Sequence, residues 1–214
     1  MALKKKSLKE CKLYLILDAE VCDYGRLWDV LVAVDKVGVD IVQLRDKLRP
    51  AKETLFFAKK VQARLAGRIP FIVNDRVDIA CLSRATGVHL GQGDLPVSEA
   101  RKILKDRVIG VSCQGLGHLR RAFSDGADYV GFGSVFTTKT KPGRKPMKGF
   151  LLSAASREAE RRGMPFFAIG GIRTTNLPFV RACGVGAVAV CRDILLSGDA
   201  VRAVQDLRMG LTAA

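Results

Sequence analysis

The stretch Ile41-Val42-Gln43-Leu44-Arg45-Asp46-Lys47 decides how this chain folds. Val42 and Leu44 are large and aliphatic, and they alternate with Gln43, Arg45 and Lys47. Successive side chains of a strand point to opposite faces. One face of this strand is therefore apolar, and the other carries an amide and two cations. The alternation recurs downstream. Large residues form one set: Phe71 and Val73, Val88 and Leu90, Ile109 and Val111, Val130 and Phe132, Phe167 and Ile169, Val188 and Val190. The opposite set is polar or small: Asn74, His89, Ser112, Gly131 and Gly133, Ala168 and Gly170, Ala187 and Ala189. An open sheet covered by helices on both faces wants apolar residues in both sets. A closed barrel wants the large set outside, against helices, and leaves a polar, roomy interior near the strand ends.

Working outward, short β-branched runs fall at 13–17, 41–44, 71–73, 88–90, 108–111, 129–132, 166–169 and 187–190. Helix-like stretches lie between and after them, among them 27–37, 51–66, 97–104, 116–125, 151–162 and 193–209. Strands alternating with helices imply a parallel sheet. Eight such units in one domain predict a single (β/α)8 TIM barrel, with an open doubly wound sheet as the rival. The 214 residues suffice for one such domain, assigned to 13–214 behind a basic extension at 1–12.

Composition narrows the function classes. Hydrophobic residues make up 48% and charged residues 27%, the profile of a soluble globular protein. The apolar runs are short and interrupted, so no membrane span is expected, and Lys4, Lys5 and Lys6 are followed by no signal-peptide core. A cytoplasmic location is the expectation. The six cysteines form no Cys-x-x-Cys pair and read as reduced thiols. The net charge of +15 concentrates at the N-terminus and in Lys139 to Lys148, without interleaved aromatics. A basic surface plus an anionic-ligand site explains it better than a nucleic-acid groove.

Active sites of such barrels gather at the carboxyl ends of the strands. Gln43, Arg45 and Lys47 share one parity and suit a phosphate or diphosphate, Arg as a fork and Lys as a point charge. The plainer alternative pairs Arg45 and Lys47 with Asp46 as surface charges. Asp75 and Asp94 end consecutive strands, and two carboxylates with a substrate phosphate are a usual Mg²⁺ site. Asp94, just before Leu95-Pro96, suits a helix cap as well as a metal. Gly170-Gly171 would let backbone N–H groups approach a phosphate, or make an ordinary tight turn. The basic loop from Thr137 to Phe150 reads as a lid, or as a solvated surface loop. His89 points inward, where a satisfied structural histidine is the commoner role. No Ser-His-Asp set is present.

From Tyr14 to about Leu196 the chain resembles the thiamine-phosphate synthase family. The matching pieces are Val42-Gln43-Leu44-Arg45-Asp46-Lys47, Ile72-Val73-Asn74-Asp75-Arg76, Gly87-Val88-His89-Leu90-Gly91-Gln92-Gly93-Asp94, Ile109-Gly110-Val111-Ser112, Phe132 through Lys141, and Ala168-Ile169-Gly170-Gly171-Ile172. The resemblance implies a transferase that couples a hydroxymethylpyrimidine diphosphate to a thiazole (or carboxythiazole) phosphate, giving thiamine phosphate and diphosphate. It implies that Gln43, Arg45, Lys47, Asn74, Ser112 and Lys141 hold the pyrimidine diphosphate. By the same likeness Asp75 and Asp94 ligate Mg²⁺, and Thr138, Lys139, Thr140, Gly171, Cys191 and Arg192 face the thiazole phosphate. Arg45, Lys47, Ser112 and Lys141 would carry the chemistry. The chain departs from the family pattern at Ser134 and Thr137, at Cys113-Gln114, and most of all at Cys191-Arg192. There an aliphatic residue and a serine are usual, and the sequence leaves open whether Arg192 touches phosphate or points away.

Two other readings compete: a thiazole tautomerase-like relative of the same fold, and a non-catalytic basic binding protein. Retention of Gln43, Arg45, Lys47, Asp75, Asp94, Ser112 and Lys141 favours the synthase. Small phosphorylated molecules are the expected partners, with no nucleic acid and no membrane; a homo-oligomer is left open.

Overall fold

The computed structural model describes residues 8–138 and 146–212. In chain order the elements are β1 (Leu13–Asp18), α1 (Tyr24–Val34), β2 (Ile41–Arg45), α2 (Ala51–Leu65), β3 (Phe71–Asn74), α3 (Val77–Leu82), β4 (Gly87–Leu90), α4 (Val97–Leu104), β5 (Val108–Cys113) and α5 (Leu116–Ser124). There follow β6 (Tyr129–Phe132), α6 (Gly149–Arg161), β7 (Phe166–Ile169), a 3-10 turn (Thr174–Asn176), α7 (Leu177–Ala182), β8 (Val188–Val190), α8 (Arg192–Leu195) and α9 (Ala200–Thr212). The strands pair in parallel in sequence order, and β8 closes on β1 with Tyr14 opposite Ala189. The open-sheet rival is excluded.

Two apolar clusters follow from that closure. The outer one packs Val42, Leu44, Val73, Val88, Val130 and Val190 against helix residues such as Leu31 and Val61. The inner one fills the barrel with Leu8, Tyr14, Ile16, Ile41, Ile72, Val108, Tyr129, Phe167 and Ala189. For β2 to β6 and β8 the faces are those the alternation predicts. In β7 they are reversed: Phe167 and Ile169 face the interior and Ala168 the helices. The reversal seats the Phe167 ring edge-on against Tyr14 and Tyr129, with centroids 5.4 and 5.7 Å apart. The interior is correspondingly less polar than expected, with aromatic rings at its centre.

Helix boundaries follow local chemistry. α1 begins earlier than the apolar period suggests because the Asp23 side chain accepts from the Arg26 N–H at 2.8 Å. The predicted helix 193–209 is two helices. Ser197-Gly198 interrupts it, and the Asp199 carboxylate accepts from the Arg202 N–H at 2.9 Å to start α9.

Candidate active site

A cavity of about 900 Å³ opens at the carboxyl end of the barrel. Of the residues singled out in the sequence, Gln43, Arg45, Asn74, Ser112, Thr138, Gly171, Cys191 and Arg192 line it. Lys47, Asp75 and Asp94 are not in its wall; they cluster beside Asn74, where Lys47 Nζ meets Asp75 Oδ2 at 2.8 Å. Lys139, Thr140 and Lys141 lie outside the described residues.

Arg45 is buried and its Nη1 donates to both Asp18 oxygens, at 2.9 and 3.0 Å, and to Glu20. The plainer alternative, in which Arg45 and Lys47 pair with Asp46 as surface charges, does not hold: their partners are Asp18, Glu20 and Asp75. Asp46 has the opposite parity and turns outward, accepting from the Tyr24 hydroxyl and from the Leu48 and Arg49 N–H groups. All three of these bonds use Nη1, which leaves the Nε–Nη2 edge of the guanidinium for a ligand. Burial raises the proton affinity of Asp18, although Arg45 opposes the shift.

Asp75 sits in the left-handed region at φ 60°, with its N–H bonded to the His89 carbonyl at 2.8 Å. Such a conformation costs a non-glycine residue about 1–2 kcal/mol and is held here by its neighbours. Burial, then the Asp94 carboxyl in hydrogen-bond contact, raise the Asp75 proton affinity, and Lys47 counters them. Asp94 is not a helix cap: Pro96 holds the cap position before α4, and Asp94 Oδ2 instead accepts from the Gly91 N–H at 2.6 Å. Among the described residues no three His, Cys, Asp or Glu side chains group into a complete metal site. Two carboxylates crowded together with hard oxygen donors nevertheless suit Mg²⁺, which takes one or two carboxylates plus substrate oxygens.

On the far side, Gly170 and Gly171 have φ of 104° and 65°. A Cβ on Gly170 would lie 2.6 Å from Ser134 Cα, and one on Gly171 2.7 Å from the Thr137 carbonyl oxygen. The glycine pair is thus required by the close packing of the β7 loop on the β6 loop. Asp193 accepts from the Thr174 N–H and hydroxyl, at 3.0 and 3.3 Å, tying the β8 loop to the β7 loop. Arg192 lines the cavity and makes no ion pair among the described residues. Burial pushes the Cys191 thiol far up and the Cys113 thiol to about 12, so both are neutral, inert groups. None of the six cysteines is in a disulfide.

Sequence reasoning missed Tyr14, Ile16, Asp18, Tyr129, Phe167 and Ile169, all of which line the cavity. Among the described residues no helix is long and apolar enough to cross a membrane.

Comparison with known proteins agrees with the fold. A thiamine-phosphate synthase of Fusobacterium nucleatum is 36% identical over 94% of this chain and 97% of its own length. One of Thermosynechococcus vestitus is 40% identical over 94% of this chain, which spans only 56% of that longer protein. The chain likewise spans little more than half, 58%, of a thiamine-phosphate synthase from a Synechococcus species. The solved thiamine phosphate pyrophosphorylase of Pyrococcus furiosus superposes with a TM-score of 0.82 at 30% identity, covering 95% of this chain and 96% of that one. The family model described as thiamine monophosphate synthase matches residues 13–194, and this chain belongs to that family.

Proposed function

We propose that this chain couples 4-amino-2-methyl-5-(diphosphooxymethyl)pyrimidine to a (carboxy)thiazole ethyl phosphate, releasing diphosphate, together with carbon dioxide when the thiazole carries the carboxyl group, and forming thiamine phosphate. What supports this reading is one cavity lined by Gln43, Arg45, Asn74 and Ser112, with the Lys47–Asp75 pair and Asp94 clustered beside Asn74. In this reading 13–214 is the catalytic domain of a cytoplasmic transferase, with 1–12 an extension.

Gln43 and Ser112 orient the pyrimidine, and Asn74, Arg45, Lys47 and Lys141 hold its diphosphate. The methylene C–O bond breaks with its electron pair leaving on the diphosphate oxygen. The thiazole nitrogen lone pair then attacks the pyrimidinylmethyl cation. Arg45 and Lys47 stabilise charge that grows on the leaving group, the kind of contribution that is largest in a water-poor site. Asp75 and Asp94 would hold Mg²⁺, which when bound neutralises diphosphate charge. Thr138, Lys139, Thr140, the Gly171 and Cys191 N–H groups and Arg192 would hold the thiazole phosphate. Phe167, Ile16 and Ile169 wall the cavity with apolar surface and keep water from the cation. Such a reaction needs positioning more than a general base.

The test incubates purified protein with both phosphorylated precursors, with and without Mg²⁺, and follows thiamine phosphate. Product formation dependent on Mg²⁺ is expected; no product under any metal condition overturns the reading. Asp75→Ala is expected to lose about 10²-fold or more in turnover. Wild-type rates in that variant at limiting Mg²⁺ would remove Asp75 from the metal role.

A further inference from the structure

Five polar side chains from five strands form one hydrogen-bonded chain through the barrel. Gln43 Nε2 donates to the Tyr14 hydroxyl at 2.8 Å. The Tyr14 and Tyr129 hydroxyls are 2.8 Å apart, Tyr129 Oη is 3.0 Å from His89 Nδ1, and His89 Nε2 is 3.0 Å from Ser112 Oγ. Both tyrosines are almost wholly buried, and the two ends, Gln43 and Ser112, open into the cavity. Glycines make the room. A Cβ on Gly110 would lie 2.0 Å from Tyr129 Cζ, and one on Gly131 3.1 Å from His89 Cε1.

The polarity of this chain is determined from one end. An amide nitrogen only donates, so Tyr14 accepts from Gln43. The 2.8 and 3.0 Å contacts allow either direction; with Tyr14 already accepting from Gln43, its proton turns to Tyr129 Oη and the Tyr129 proton to His89 Nδ1. Burial keeps both phenols protonated at any ordinary pH, so each always has one proton to pass on. His89 Nδ1 then accepts, its Nε2–H donates to Ser112, and the Ser112 proton is free to point into the cavity. At the other end Gln43 keeps its carbonyl oxygen as an acceptor.

We propose that Tyr14, Tyr129 and His89 are positioning residues: their hydrogen-bonded chain presents Ser112 as a donor and Gln43 as an acceptor, so the cavity selects a heteroaromatic ring bearing both a ring-nitrogen acceptor and an amino donor. The proposal deepens the function proposed above and rests on it only for the identity of that ring. A purely structural network would satisfy its own buried groups without fixing the direction of its two exposed ends.

The test has one arm that needs no activity. The chain has two histidines, so His118→Gln leaves a single imidazole for long-range ¹H–¹⁵N correlation spectra. The neutral Nε2–H tautomer is expected for His89, with loss of that single tautomer in Tyr129→Phe. An Nδ1–H tautomer in the unaltered network, or no change in Tyr129→Phe, overturns the proposal. The kinetic arm expects Tyr14→Phe and Tyr129→Phe each to raise the KM for the pyrimidine diphosphate about tenfold with the thiazole-phosphate KM unchanged. Tyr129→Phe should add little to Ser112→Ala. Unchanged pyrimidine KM in folded, active variants, or equal loss for both substrates, overturns it. Failure of the synthase reading shows separately, as absence of product from the wild type with the tautomer result intact.

Discussion

Arg45 enters the site with one nitrogen already committed to Asp18 and Glu20. Its remaining edge is what a phosphate would meet, and the two carboxylates keep the guanidinium pointed inward. A lysine has three donors on a single nitrogen, which cannot hold carboxylates at one edge and meet a ligand bidentately at another as a planar fork does. Arg45→Lys should therefore lower kcat/KM by about 10²-fold at saturating Mg²⁺; a loss under threefold in steady-state assays would show that the fork is not used. Arg192 differs, being unpaired among the described residues while its neighbour Asp193 is occupied by Thr174. Arg192→Ser should raise the thiazole-phosphate KM several-fold, about 1 kcal/mol of binding, and leave the pyrimidine KM alone. Equal KM values for wild type and variant would place the side chain off the phosphate. Gln43, Arg45, Asn74 and Ser112 were legible because each interrupts an apolar strand on one face. Asp18, Tyr14 and Ile16 were not, because Leu13-Tyr14-Leu15-Ile16-Leu17 is apolar on both faces and hides its parity.

The strands and loops owe their approach to particular glycines. A Cβ on Gly133 would stand 1.9 Å from the Ile169 carbonyl oxygen, a backbone atom that cannot swing aside. Gly133→Ala should cost about 1–3 kcal/mol or more in urea unfolding. Gly117, inside α5 with open space around it, predicts the opposite. Gly117→Ala should stabilise by roughly 0.5–1 kcal/mol; destabilisation there would show that the space is not empty. Element type was legible wherever a period ran long enough. α3 and α7, six residues each, offer too few turns for a period, and in β7 the small Ala168 was assigned to the interior that Phe167 fills.

Across the molecule, charge couples helix to helix. The Asp35 carboxylate at the end of α1 receives Arg64 Nε at 2.9 Å and Arg68 Nη2 at 3.1 Å from the α2 side. Burial would raise its proton affinity, but the hydrogen bonds of Arg64 and Arg68 win and hold the carboxyl below the ordinary range. A depressed carboxyl contributes stability above the ordinary aspartate value of about 3.9 and loses it as pH falls through the lower folded value. Asp35→Asn should thus melt earlier than wild type at pH 7, by about 2 kcal/mol, with the gap closing below about pH 4. A gap independent of pH in thermal melts would refute this linkage. Barrel closure has a further consequence, for synthesis. The β1 edge that pairs with Val188, Ala189 and Val190 stays open until those last strand residues have left the ribosome. For that interval a nascent chain carries an unpaired, largely apolar strand edge, the kind of surface that invites chaperones or aggregation.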